Sequence, residues 1–243
     1  MKSKGILGVA LLSALSVPQA ALAFCDDCWG SVGLKQWMST LNAGDGALSG
    51  SSQMLSLTAG NGKFFANVSL NPRSTYDGGA TASNISVSRS QGSINFGYLI
   101  GSGFSGTAGL KQISEKYIYA NGQSVDTSSI TPFFGNVGVS YFYKIPDSKF
   151  SINGTAAYGE RSIAPDINAY LYPGVLDRSS AYKAIDVGSA YSITKDFAVN
   201  IFYRFEQWDT VYATAIGPAP YIATLEKRTM KLGGPGIGVS YSF

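Results

Sequence analysis

Few residues in this chain are equipped for chemistry. Its two cysteines stand in FCDDCWG, at Cys25 and Cys28, and histidine is absent. A c-type haem needs a histidine directly after the second cysteine, where Trp29 stands. A zinc site needs about four ligands. The pair can form a small local disulfide, remain as unpaired thiols, or act as a redox handle. Proton transfer near neutral pH is by default histidine work, and no Ser–Lys arrangement stands out to activate a serine without it. These residues point away from an enzyme, a metal site and any cofactor. The remaining candidates are charges in segments that carry few of them: Lys111, Glu115, Asp186, Arg204 and Glu206, with Arg161 near the end of another segment. What they do depends on which way their segments face.

The segments alternate with a period of two, the signature of strands. In FAVNIFYRFEQW, Phe197, Val199, Ile201, Tyr203 and Phe205 share one face, while Asn200, Phe202, Arg204, Glu206 and Trp208 share the other. KFSINGTAAYGER, ITPFFGNVGVSYFY, AYKAIDVGSAYSI and GIGVSYSF repeat the pattern. Apart from GIGVSYSF, each is about ten residues or longer, the length of a tilted strand crossing a bilayer. Pro146-Asp147-Ser148 and Thr194-Lys195-Asp196 read as tight turns, whereas 161–180 and 213–225 read as long loops bearing prolines. Short turns at one end and long loops at the other suit a barrel whose turns are periplasmic.

The first residues, MKSKGILGVALLSALSVPQAALA, combine Lys2 and Lys4, a short apolar run and a small-x-small site. That is a secretory signal peptide over 1–23, cleaved after Ala23, leaving 24–243 as a single barrel with a short N-terminal periplasmic segment. Loss of Lys2 and Lys4 takes the formal charge of +3 to +1. A near-neutral chain offers no basic footprint for nucleic acid. Export favours an oxidised cysteine pair.

The strand count is less direct. Strands over 51–59, 63–71, 82–100 and 105–119 join those above, with Gly60-Asn61-Gly62 as a hairpin signal. Residues 30–42 complete ten as a strand, although Leu34, Trp37, Met38 and Leu41 also follow helical spacing. Eight strands result if the N-terminal part lies outside the wall, and twelve if SVSRSQGSINF is a turn. The apolar phase slips around Gln91-Gly92, which suggests a bulge, and again at GGPG, where Pro235 cannot donate to a ladder.

The faces opposite the apolar ones carry Gly, Ser, Asn, Ala and Thr, with few of the charges a soluble sandwich would turn to water. Aromatics gather near strand ends (Tyr117 and Tyr119, Tyr141 and Tyr143, Tyr203 and Phe205), as in membrane-interface girdles. In hydrocarbon every backbone donor needs a partner, and a closed antiparallel ladder supplies them all. With its signal peptide, alternating strands and terminal aromatic, the chain resembles a Gram-negative bacterial outer-membrane β-barrel protein. The resemblance implies an all-β closed transmembrane barrel in the outer membrane. It also implies that Tyr241 and Phe243 are the signal read by the barrel-assembly machinery. The enzymes of that class resemble one another in needing a histidine, which this chain lacks.

On these phases Lys111, Glu115, Asp186, Arg204 and Glu206 point into the lumen, and Arg161 lies near an outer strand end. They either line a path for small hydrophilic solutes or ions, or pair across the barrel and fill it. The first makes the protein a narrow porin-like channel. The second makes it a plugged barrel that presents the Tyr- and Pro-bearing loops to a surface partner.

Overall fold

The computed structural model describes residues 27–42, 46–78, 85–119, 124–126, 134–162, 179–216 and 222–243. The segment 1–23, the cleavage point after Ala23 and Cys25 lie outside them. The described residues form one antiparallel sheet: β1 (Cys28–Asn42), β2 (Ala47–Asn61), β3 (Phe64–Asp77), β4 (Ile85–Gly101), β5 (Phe104–Tyr119), β6 (Ser124–Asp126), β7 (Phe134–Lys144), β8 (Phe150–Ser162), β9 (Ser179–Ser192), β10 (Phe197–Ile216) and β11 (Ile222–Ser242). β6 is a three-residue strip on the upper end of β5, pairing with Lys116 to Ile118. The other ten strands close into a ring. β4 pairs with β5, and β1 pairs with β11 from Ser31↔Ser242 to Asn42↔Lys231. Gly30 and Phe243 complete that seam, with N–H···O distances of 2.9 and 3.0 Å.

Ten is the number that counting 30–42 as a strand requires. SVSRSQGSINF is no turn, because β4 pairs without interruption from Ile85↔Tyr119 to Leu99↔Ser105. The tight turns after β2, β4, β7 and β9 share one end of the barrel, here the lower end, with Asp27 and Phe243. Two expectations about the upper end are corrected. Residues 213–225 are largely wall rather than loop, since β10 and β11 stay paired up to Ile216↔Ile222. The upper connection between β1 and β2 is also short, covering only 43–46. Of the expected loop 161–180, the two ends belong to β8 and β9, and 163–178 lie outside the described residues.

Apart from β7, with 11 residues, the wall strands exceed the roughly nine to eleven residues a bilayer needs; β10 has 20 and β11 has 21. The extra length explains the phase slips. In the lower half the large apolar side chains point outward: Phe64 to Leu70 on β3, Ile94 to Ile100 on β4, Phe104 to Leu110 on β5, Ile185 to Ile193 on β9 and Val199 to Tyr203 on β10. In the upper half the apolar side chains point inward: Trp37, Leu41, Leu48, Tyr76, Val87, Ile113, Trp208, Met230 and Leu232 are all buried. Outward positions there are Thr40, Ser49, Gln53, Thr75, Lys183 and Lys231. The wall keeps its parity while its surroundings change from hydrocarbon to water.

This face switch accounts for the apparent slips at Gln91-Gly92 and GGPG. β4 pairs regularly with β5 through Gln91, and β11 pairs regularly with β10 through Pro235. On its other side β11 leaves the ladder to β1 at Gly234 and Pro235, between Trp37↔Gly236 and Thr40↔Gly233, as a proline without an N–H requires. A bulge does stand opposite the first position, on β3, where the register shifts between Asn71 and Ser74. The switch also explains the helical spacing of 30–42. Leu34 and Met38 lie on the outward face of β1, and Trp37 and Leu41 on the inward one, so a two-faced strand mimics a turn of helix. An outward apolar belt around a ladder without edges is the geometry hydrocarbon demands. The fold is a transmembrane β-barrel with a collar standing above the belt.

Candidate functional site

The upper lumen is filled from opposite walls. Glu206, on β10, is fully buried, and its carboxylate is the hub of an ion network. Its Oε2 accepts from Arg89 Nη2 at 2.7 Å, and its Oε1 accepts from Lys111 Nζ at 2.8 Å, Arg204 Nη2 at 2.7 Å and Tyr182 OH at 3.0 Å. Lys111 Nζ also donates to Tyr182 OH at 2.6 Å. Asp186 stands 3.7 Å from Arg204 Nη1, and Glu115 stands 3.9 Å from Arg89 Nε. A buried carboxylate is tolerated only when paired and hydrogen-bonded, and cations from β4, β5 and β10 converge on this one. The cations are thereby set against carboxylates across the bore.

Aromatic rings pack around the charges. The Arg89 guanidinium lies 4.3 Å from the Trp208 ring centroid, Lys111 Nζ lies 4.3 Å from that of Tyr182, and Arg204 lies 5.7 Å from that of Trp37. Trp37 Nε1 donates to Gly234 O at 2.9 Å across the seam. Below the network Phe202 lies across Gly236, its cross-strand partner; a Cβ at 236 would meet the Phe202 ring, so glycine there makes room for it. Lys35 Nζ lies 4.8 Å from the same ring.

Further down the lumen changes character. Ser56, Thr58, Asn67, Ser69, Ser93, Asn95, Ser140, Asn153, Thr155 and Asn200 face inward, and none of them is buried. Neighbouring hydroxyls pair along the wall, as in Ser69–Ser93 at 2.8 Å and Ser140–Thr155 at 3.0 Å. Thr155 is exposed although it faces inward. The lower half is thus a polar cup whose roof is the ion network.

The structure brings Lys111, Glu115, Asp186, Arg204 and Glu206 together, as their strand phases imply. Arg161 stands in β8 opposite Ser180, and its side chain lies outside the described part. Cys28 opens β1 and is disulfide-bonded. Tyr241 lies on the outward face of β11, and its ring is 6.4 Å from that of Phe243. Phe243 covers Gly30 at the seam. Sequence reasoning passed over Arg89, Tyr182 and Trp37. Arg89 was hidden beside the apparent slip at Gln91-Gly92. Its inward parity with Gln91 and Val87 was the signal available.

No family model and no curated protein matches the chain. Among solved structures it is similar to the neisserial surface protein A at 12% identity, with a TM-score of 0.41 and coverage of 88% of this chain and 97% of that one. The translocator domain of the autotransporter NalP from Neisseria meningitidis gives 15% identity, a TM-score of 0.44 and coverage of 97% and 98%. The attachment invasion locus protein Ail of Yersinia pestis gives 12% identity, a TM-score of 0.38 and coverage of 89% and 99%. The ring closure and outward belt of this chain, rather than likenesses at this level, establish its fold.

Proposed function

We propose that the protein is a non-enzymatic outer-membrane barrel, plugged at rest, whose collar holds the upper connections clear of the lipid for contact with a surface partner. The observation that carries this reading is the Glu206 hub. A carboxylate with no exposure, held by Arg89, Lys111 and Arg204 and packed with Trp37 and Trp208, with Phe202 below, supports a filled upper bore among the described residues. On the same reading the outer membrane and its lipid are the surroundings, export follows from 1–23, and Tyr241 and Phe243 serve the assembly machinery. Planar-bilayer recording of the refolded protein tests the plug, with no conductance steps expected; regular steps from the unmodified chain would reverse the assignment. For the partner, deletion of 165–176 is expected to abolish binding while heat-modifiable migration on gels persists.

One observation favours the narrow channel as a second reading. The lower half is already a polar cup, so only the roof separates the two ends. If that roof is a gate, Glu206→Gln loosens its cations and gives conductance steps that the parent protein lacks. A silent Glu206→Gln barrel that still folds argues for a permanent plug.

A further inference from the structure

The lumen holds one charge that the ion network does not use. Arg89, Lys111 and Arg204 are set against Glu115, Asp186 and Glu206. Lys35, inward on β1, forms no ion pair among the described residues; Asp186, the inward carboxylate at the underside of the network, already stands 3.7 Å from Arg204. Lys35 lies at the height of the apolar belt, since its outward neighbours Leu34 and Gln36 stand opposite Val239 and Ile237. Its placement is built into the wall. A Cβ at Gly238, its partner on β11, would meet Lys35 Cγ at 2.8 Å, so glycine there lets the lysine stem pass. The ammonium ends 4.8 Å from the centroid of the Phe202 ring, held by a ring face rather than by a carboxylate.

An unpaired cation at membrane depth is costly and marks a place where an anion is favoured. The wall beneath Lys35 supplies none. Its described inward positions are small, amide, hydroxyl or aromatic, down to Lys144, which is exposed at the lower rim opposite Ser151. Around that rim Asp27, Asp147 and Asp196 are matched by Lys63, Lys149 and Lys195. The approach is therefore an uncharged polar passage with a cation at its entrance and another at its end. Asn153, Thr155 and Asn200 line its upper part, and none of them is buried. Their amides and hydroxyl can donate and accept, which matches the hydroxyl groups of a solute. At the mouth Trp29 and Phe65 stand with ring centroids 5.9 Å apart. Each ring lies over the glycine opposite it, Gly60 and Gly97, which keeps both against the wall.

From the unpaired cation and its polar approach we infer that the cup binds a small hydroxylated organic anion entering from the lower end, with its carboxylate on Lys35 and its hydroxyls on Asn153, Thr155 and Asn200. Ammonium and carboxylate form a charge-assisted hydrogen bond, and the wall amides and hydroxyls separate such a solute from a bare inorganic ion. The site lies wholly below the Glu206 network, so it serves a permanent plug and a gate alike.

The test uses the full folded chain in polyoxyethylene-ether micelles, which bring neither sugar nor charge, titrated with glucuronate and followed by the side-chain amide signals of Asn153 and Asn200. Saturating shifts are expected, with glucose weaker by about tenfold or more, the worth of one charge-assisted contact. Lys35→Gln is expected to bring glucuronate down to the level of glucose, whereas Lys35→Arg keeps most of the difference. Lys35→Met, which preserves an apolar stem beside Gly238 and Phe202, makes the same test should Lys35→Gln fold poorly. Thr155→Trp fills the cup beneath the cation and is expected to weaken both solutes by about tenfold or more. Heat-modifiable migration is the folding control for each variant. Absence of saturation, equal affinity for glucose, unchanged glucuronate affinity in folded Lys35→Gln or Lys35→Met, or equally tight saturation by chloride or inorganic phosphate would overturn the assignment. Conductance and the deletion of 165–176 report on the plug and the partner, and both leave this binding unchanged.

Discussion

Glu206 concentrates more of the barrel's internal electrostatics than any other described side chain. Replacing one partner of a buried ion pair leaves a charge both desolvated and uncompensated, which typically costs about 3–5 kcal/mol. Glu206→Ala strands Arg89, Lys111 and Arg204 together, so its loss in urea unfolding from lipid vesicles is expected at or above that range. Lys195–Asp196 is the contrast: it spans 4.0 Å in a lower turn, with the lysine side chain 89% exposed. Lys195→Ala is expected to shift stability by less than ~0.5 kcal/mol, because water already screens the pair. A large effect at Lys195, or a small one at Glu206, would mean that the network stabilises little. Trp208→Ala opens the space above Arg89 and is expected to cost about 3–5 kcal/mol.

Each long strand has two environments in series, and an element-scale substitution tells them apart. Ile201 is 60% exposed in the belt of β10. Ile201→Lys is expected to destabilise by about 2–4 kcal/mol, the cost of a cation facing hydrocarbon near mid-depth. Thr75→Lys on β3, outward but in the collar, is expected to be close to neutral. Equal costs at both would abolish the distinction between belt and collar. Closure has its own test. A Cβ at Gly30 would meet the Phe243 ring, so Gly30→Val is expected to lower folding yield into vesicles by disturbing the β1–β11 seam.

The molecule as a whole is a barrel half immersed and half standing in water, with its apolar packing turned inside out between the halves. Spin labels on single added cysteines, the native Cys28 remaining in its disulfide, measure this directly. Labels at Thr40, Ser49 and Lys231 should be relaxed by an aqueous nickel reagent, and labels at Val137 and Ile201 by oxygen. Oxygen-dominated relaxation at the upper positions would place them in lipid and remove the collar. Because the collar interior is a packed core crossed by an ion network, the upper end is expected to stay rigid while the polar cup below remains hydrated.

Strand identity was readable in the linear chain, because a period of two is local and each residue reports its own parity. Parity alone placed Lys111, Glu115, Asp186, Arg204 and Glu206 inside, and counting 30–42 as a strand gave ten, with eight and twelve left open until the ring closed. Parity could not say which solvent meets a face at a given height. The inward turn of Trp37, Val87 and Leu232 therefore looked like slips and a helix. Nor could it join Arg89 to Glu206, 117 residues apart. That meeting depends on how ten strands tilt and register around one axis, which only the closed tertiary structure determines. Local alternation dictates the wall, while the ion network is a property of the ring.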